Sequence, residues 1–147
     1  MSSFVVVDAS LTFKWLVAEE DSEKATALLR AWGRDGKRLA APHLLAAEVT
    51  NAIHRKVVQD YLERAQALRL VEQFASLPLE LHDPPGLHMR ALEMASELGQ
   101  GAAYDSHYLA LAEALGCEYW TADDRFWRAA STAFGAVRSL SEVEAPD

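Results

Sequence analysis

The stretch Phe4-Val5-Val6-Val7-Asp8 decides the fold of this chain. Its unbroken aromatic and β-branched run predicts a strand that is buried on both faces, as in a parallel sheet. Asp8 follows that run directly, so a carboxylate stands at the carboxyl end of a buried strand. In open α/β sheets, that end is where the functional crevice lies.

Strand-like and helical segments alternate along the rest of the chain. This alternation predicts an α/β/α sandwich with a central parallel sheet of about four to five short strands. Strands are predicted at residues 4–7, 38–41, 79–82, 118–121 and 136–139. Helices are predicted at residues 10–17, 22–32, 43–59, 62–76, 87–98 and 102–115, with a short one from Asp124. In the fourth helix, periodicity places Ala65, Leu68, Val71 and either Phe74 or Ala75 inward.

Length, charge and composition bound the possible functions. The 147 residues suit one domain, predicted over 1–142, with a frayed tail at 143–147. A net charge of −8 argues against a protein that coats nucleic acid with a basic surface, although it leaves a nuclease open. The single cysteine, Cys117, cannot form an internal disulfide, and no apolar run approaches the ~18 residues of a membrane span. A cytoplasmic protein is therefore expected.

Four acidic residues fall where apolar segments disfavour a charge. They are Asp8 after the first strand, Glu48 within Leu44–Val49, Asp105 at the start of the helix to Leu115, and Asp123 after the strand at 118–121. A buried carboxylate is costly without compensation, and no lysine or arginine stands beside the first three. Carboxylates that share a divalent cation resolve this conflict. The pattern indicates a magnesium or manganese site and phosphoryl chemistry.

Each acid also has an ordinary structural explanation when it is taken alone. Asp8, Asp105 and Asp123 stand at or near helix starts, where carboxylates cap free amides and complement the helix dipole. Glu48 lies in mid-helix, three residues before its spatial neighbour Asn51, but a boundary between core and surface also tolerates a glutamate. The order of the four acids is more informative than any one of them.

That order resembles the PIN-domain family, and within it the VapC-type toxins of bacterial toxin–antitoxin pairs. The matching segments span nearly the whole chain: Val6-Val7-Asp8-Ala9-Ser10, Glu48-Val49-Thr50-Asn51-Ala52-Ile53, Tyr104 to Ala112, and Thr121-Ala122-Asp123-Asp124-Arg125-Phe126. The resemblance implies a PIN-like fold and metal-dependent hydrolysis of RNA phosphodiester bonds. It also implies Mg²⁺ as the cofactor, with Mn²⁺ able to substitute.

The resemblance further implies roles for single residues. It assigns metal binding and catalysis to four carboxylates, those of Asp8, Glu48, Asp105 and Asp123. Ser10, Asn51 and Thr121 match the polar residues that support this site. Asp124 is either a further ligand or a helix cap.

Several other residues are weaker candidates for contacts with RNA. His107 and Arg125 flank the acids, although a solvated surface explains them equally well. The pairs Lys37-Arg38 and Arg55-Lys56 are interpreted as solvated charges that could also contact phosphates.

The resemblance to VapC-type toxins also implies a small antitoxin partner, and we expect a homodimer. A cleft lined by carboxylates would receive an arginine from a flexible segment of the partner. Apolar residues of the first two helices either receive the partner's helix or form internal core: Trp15, Leu16, Leu28, Leu29 and Trp32.

Three alternatives remain open at this point. One is a PIN-domain ribonuclease of RNA processing without a toxin role, and another is a catalytically silent PIN-like binding module, which four intact acids disfavour. The third is a phosphate-accepting regulatory domain. Such a domain needs a second acid beside the first, and the segment Asp8-Ala9-Ser10 lacks it.

Overall fold

The computed structural model of this chain describes residues 3–144. Within that range, one sheet contains five strands: β1 (Phe4–Val7), β2 (Arg38–Ala41), β3 (Leu79–Leu81), β4 (Tyr119–Thr121) and β5 (Val137–Ser139). All neighbouring strands are parallel, in the order β3-β2-β1-β4-β5. The predicted α/β fold is confirmed. Of the tail expected at residues 143–147, residues 145–147 lie outside the described part of the chain.

The described residues also form seven α-helices, close to the predicted positions. They are α1 (Ala9–Leu16), α2 (Ser22–Arg34), α3 (Leu44–Val58), α4 (Arg64–Ser76), α5 (Leu87–Glu97), α6 (Tyr104–Leu115) and α7 (Asp124–Ala130). None of these helices is long and apolar enough to cross a membrane. Asp8 caps α1, because its Oδ1 accepts a hydrogen bond from the amide of Leu11 at 3.0 Å.

Helices cover both faces of the sheet because successive strand side chains point to opposite sides. Val6 and Tyr119 face a core built with α3, α5 and α6. Val5, Val7 and Trp120 face a second core built with α2. Successive residues of β1 are thus buried in opposite cores. Because both faces of the strand are buried, its sequence is a continuous apolar run.

The second core decides the role of the aromatic residues on the early helices. Trp32 is only 7% exposed and packs edge-on against Trp15 and Trp120, with ring centroids 6.4 and 5.9 Å apart. Leu28 and Leu29 pack partly buried against the same cluster. These residues are therefore internal core. Leu16 differs, since it lines an open groove beside α4.

The predicted inward face of α4 is correct at Val71 and Phe74, which are partly buried, and wrong at Ala65 and Leu68. Ala65 is exposed and Leu68 is 58% exposed, whereas Ala67 is buried. The helix packs against α1 and α3 at the edge of the fold, where its buried stripe is narrow. One residue turns a helix by about 100°, so a narrow stripe is easily assigned to the wrong face.

The sheet has a topological switch point between β1 and β4. From β1 the chain proceeds outward through β2 and β3 on one side, and it later adds β4 and β5 on the other. A crevice opens beyond the carboxyl ends of strands at such a point. Asp8 directly follows β1 and Asp123 lies two residues beyond β4, so both stand at this crevice.

Candidate metal centre

An open cavity of about 530 Å³ at the switch point brings the four predicted carboxylates together. Asp8 and Asp123 line it from the strand ends, Glu48 from α3 and Asp105 from the first turn of α6. Four segments that are distant in the sequence therefore contribute one acid each.

Asp8 is the most buried of the four acids, at 4% exposure. Its Oδ1 accepts hydrogen bonds from Ser10 Oγ at 2.7 Å and from the Leu11 amide. Its Oδ2 accepts from Tyr119 Oη at 2.8 Å and from Thr121 Oγ1 at 2.5 Å. Burial raises the pKa of Asp8 above its ordinary value, and these donors only partly offset that effect. All four donors are neutral, so they orient the carboxylate without neutralising it.

Glu48 is half-buried and is held by a tyrosine that the sequence analysis missed. Tyr108 Oη donates to Glu48 Oε1 at 2.5 Å, and its ring stacks on Tyr119 with centroids 5.7 Å apart. Burial raises the pKa of Glu48, and burial likewise raises the pKa of both tyrosines, which stay protonated donors. The one sequence signal was the spacing of Tyr108 three residues after Asp105, which places both on one helix face.

Asp105 and Asp123 complete the acidic cavity. Burial, followed by the charges of Asp8, Asp123 and Glu48, raises the pKa of Asp105 to about 7. Asp123 Oδ1 accepts a hydrogen bond from the Phe126 amide at 3.2 Å, so this residue caps α7. Capping and cavity lining therefore coexist at Asp123, as they do at Asp8.

Ser10 and Thr121 tie the two strand ends together beneath the acids. Their hydroxyl oxygens are 3.2 Å apart, and Ser10 Oγ also accepts from the Ala122 amide at 3.0 Å. Thr121 Oγ1 accepts from the amide of Asp123 at 2.9 Å. Both hydroxyl groups therefore contact the carboxylate of Asp8 directly.

The other predicted residues do not line the cavity. Asn51 and Arg125 are exposed. Asp124 faces β5, where its Oδ1 accepts from Ser139 Oγ at 2.6 Å, and this hydrogen bond lowers the pKa of Asp124. His107 Nδ1 donates to the Ala103 carbonyl at 2.7 Å. Its Nε2 lies 3.0 Å from His88 Nδ1.

The chemistry of the cavity fits a hard divalent cation. Among residues 3–144, none of the four carboxylates forms an ion pair with lysine or arginine, and Lys14 at the rim pairs instead with Glu19 at 3.2 Å. No three potential ligands within that range converge at the spacing that a bound metal requires. Carboxylates without a cation repel one another, so a bound ion would have to draw them closer. An all-oxygen donor set suits Mg²⁺ or Mn²⁺.

Comparisons with known proteins extend these findings. The PIN domain profile matches residues 5–131. VapC ribonuclease Mb0985 of Mycobacterium bovis and ribonuclease VapC9 of Mycobacterium tuberculosis are each 32% identical over 121 residues, which cover 82% of this chain and 87% of each relative.

Two solved structures share the fold. PAE2754 from Pyrobaculum aerophilum matches with a TM-score of 0.69 and 22% identity, over 94% of this chain and 90% of that one. VapBC2 from Rickettsia felis, bound to a DNA fragment of its promoter, matches with a TM-score of 0.67 and 14% identity, over 92% of this chain and 98% of that one. With the profile and the mycobacterial relatives, the chain belongs to the PIN-domain family as a VapC-type member.

Proposed function

We propose that this chain is a metal-dependent endoribonuclease that hydrolyses RNA phosphodiester bonds. The observation that carries the proposal is the shared cavity of Asp8, Glu48, Asp105 and Asp123, none of which has a cationic side-chain partner within residues 3–144. Two relatives named as ribonucleases, at 32% identity, support RNA as the substrate.

The four carboxylates are the proposed catalytic residues and would hold Mg²⁺, for which Mn²⁺ could substitute. When bound, such ions lower the pKa of a water ligand and offset negative charge on the phosphate. Asp8 is held by its four donors, whereas the carboxylate of Asp105 accepts no hydrogen bond within residues 3–144. With a pKa of about 7, Asp105 carries a proton part of the time near neutral pH, and cation binding would release it.

Cleavage of total cellular RNA tests this proposal. The wild type should cut RNA with Mg²⁺ and stop in excess EDTA, and Asp8→Asn should lose activity by orders of magnitude while remaining folded. The matched control is Asp124→Asn, because Asp124 is an acid beside the cavity that faces Ser139. Cleavage that persists in EDTA or in Asp8→Asn would contradict the catalytic assignment.

The biological role that we propose is the toxin of a VapBC-type toxin–antitoxin pair acting in the cytoplasm. The cavity suits inhibition by an arginine from the antitoxin, which would pair with the free carboxylates. The open groove between α1 and α4, lined by Leu16, Val17, Leu62 and Leu70, is the proposed seat of an antitoxin segment. Expression of the chain alone should arrest growth in a manner that requires Asp8, and co-expression of the adjoining short reading frame should restore it. Harmless expression of an active nuclease would favour RNA processing instead.

We further propose that the chain forms a homodimer. Met89 and Leu92, one helical turn apart on α5, are 74% and 64% exposed, and Tyr104 at the start of α6 is 65% exposed. Sedimentation equilibrium should give a dimer for the wild type and a monomer for Leu92→Lys. A wild-type monomer at micromolar concentration would exclude the homodimer.

A further inference from the structure

The cavity has an acidic floor, formed by the four proposed metal-binding carboxylates, and a basic wall, formed by Arg55 and Lys56 near the C-terminal end of α3. Glu48, Ala52, Arg55, Lys56 and Gln59 line the cavity along α3, at the spacing of a single helix face. Arg55 and Lys56 lie about two turns beyond Glu48, or roughly 12 Å along the helix. A continuous surface therefore leads from the acidic floor to two cations.

These two cations are not used in ion pairs. Within residues 3–144, neither Arg55 nor Lys56 has a carboxylate within ion-pair distance, although the third basic residue at the rim, Lys14, is paired with Glu19. The chain as a whole carries a net charge of −8, and five acids line the same cavity, of which only Glu19 is paired with a cation in the described part of the chain. An anionic substrate would be repelled from this entrance unless cations close to it offset the field.

An exposed tyrosine stands beside these cations in a defined backbone conformation. Asp60 adopts a positive φ of 62°, and the amide of Tyr61 then bonds the carbonyl of Lys56 at 2.9 Å. This turn brings Lys56 Nζ to 4.9 Å from the centre of the Tyr61 ring, which remains 72% exposed. A fixed and accessible aromatic ring beside unpaired cations is the combination that binds single-stranded nucleic acid.

We propose that the C-terminal half of α3 is the wall along which single-stranded RNA enters the cavity, with Arg55 and Lys56 binding phosphates and Tyr61 stacking on a base. Phosphate contacts position the strand without reading its sequence. Stacking on Tyr61 would be tolerant of base identity. This inference rests on the proposed ribonuclease function and adds a route for the substrate.

Steady-state cleavage of a 5′-fluorescein, 20-nucleotide random-sequence single-stranded RNA in saturating Mg²⁺ tests the proposal. The double variant Arg55→Ala/Lys56→Ala should raise KM with little change in kcat. When log(1/KM) is plotted against log salt concentration, the negative slope should become shallower by about 1.4, because two phosphate contacts are lost. Tyr61→Ala should raise KM by about 5- to 150-fold, and Tyr61→Phe should not.

The matched control is Arg30→Ala/Arg34→Ala on α2, which removes the same two charges away from the cavity lining. It should leave KM and the salt slope near the wild-type values. If the α3 double variant behaves like this control, or if these substitutions weaken only the binding of a partner protein, the inference is wrong. Different results would contradict the proposed ribonuclease function itself. These are the absence of RNA cleavage by the wild type, or full activity of Asp8→Asn.

Discussion

Tyr108 Oη donates a 2.5 Å hydrogen bond to Glu48 Oε1, which joins the second turn of α6 to the cavity face of α3. Tyr119, stacked against Tyr108, makes the equivalent bond to Asp8 Oδ2 at 2.8 Å. Two buried rings thus form a rigid base that orients two of the four carboxylates. We expect this base to fix the positions of the acids before a cation binds.

Removal of the Tyr108 hydroxyl should therefore lower the affinity for the metal ion more than it lowers the stability of the fold. Loss of a hydrogen-bond partner of a metal ligand typically lowers metal affinity about 10- to 100-fold, so Tyr108→Phe should raise the Mn²⁺ concentration for half-maximal cleavage by a similar factor. The exposed tyrosine of the same helix supplies the control, Tyr104→Phe, which should behave as wild type. If Tyr108→Phe has the same metal dependence as the wild type, the hydroxyl of Tyr108 does not position Glu48 for metal binding, and Tyr108 serves only in core packing.

Neutralising one crowded acid should stabilise the metal-free protein. Burial, and then three neighbouring carboxylates, disfavour the charged form of Asp105, so Asp105→Asn should raise the melting temperature in EDTA. Asp124→Asn should lower the melting temperature slightly, because Asp124, the first residue of α7, accepts a favourable hydrogen bond from Ser139 of β5. A lower melting temperature for Asp105→Asn would instead favour a helix-terminal role.

The same crowding predicts how stability changes with pH. Asp105 has a pKa of about 7 in the folded protein and 3.8 as its ordinary value, so between these values the folded state holds a proton that the unfolded chain releases. Stability of the metal-free protein should therefore fall as pH rises through this window. Urea unfolding in EDTA at pH 5 and pH 7.5 should show the fall, and Asp105→Asn should reduce it. An equal fall in stability in the wild type and in Asp105→Asn would contradict the assignment of this pH dependence to Asp105.

Metal should reverse this loss of stability. A cation that binds only the folded state at 100 times its dissociation constant adds ~2.7 kcal/mol to the free energy of unfolding. Saturating Mg²⁺ or Mn²⁺ should thus raise the melting temperature of the wild type at pH 7.5. Asp105→Asn should show a much smaller rise. A melting temperature unmoved by either ion would exclude tight binding to the folded chain.

The sequence predicted the fold well, because alternating patterns specify a parallel sheet locally. Asp8 and Asp123 could be placed at one crevice, since strand ends of a parallel sheet share an edge. The hydrogen bonds of Tyr108 and Tyr119 could not be predicted, because they join residues 60 and 111 positions away and both rings look like ordinary core. Leu68 was misassigned because α4 buries only a narrow stripe.

The surface assignments show the same limit. Asn51 precedes the lining residue Ala52, and Arg125 lies two residues after the lining residue Asp123, yet both are exposed and neither lines the cavity. Lys56, two helical turns from Glu48, does line it. Nearness in sequence is a weak guide to a cavity whose walls come from separate segments.

Direct measurement of Mn²⁺ binding tests the central claim, that the four carboxylates form a divalent-cation site. Isothermal titration calorimetry at pH 7.5 should show saturable binding of Mn²⁺ to the wild type, competed by Mg²⁺. Glu48→Gln and Asp105→Asn should each weaken binding at least tenfold, while Asp124→Asn should bind as the wild type does. Absence of saturable binding to the wild type, or equal binding by Asp105→Asn, would contradict the account.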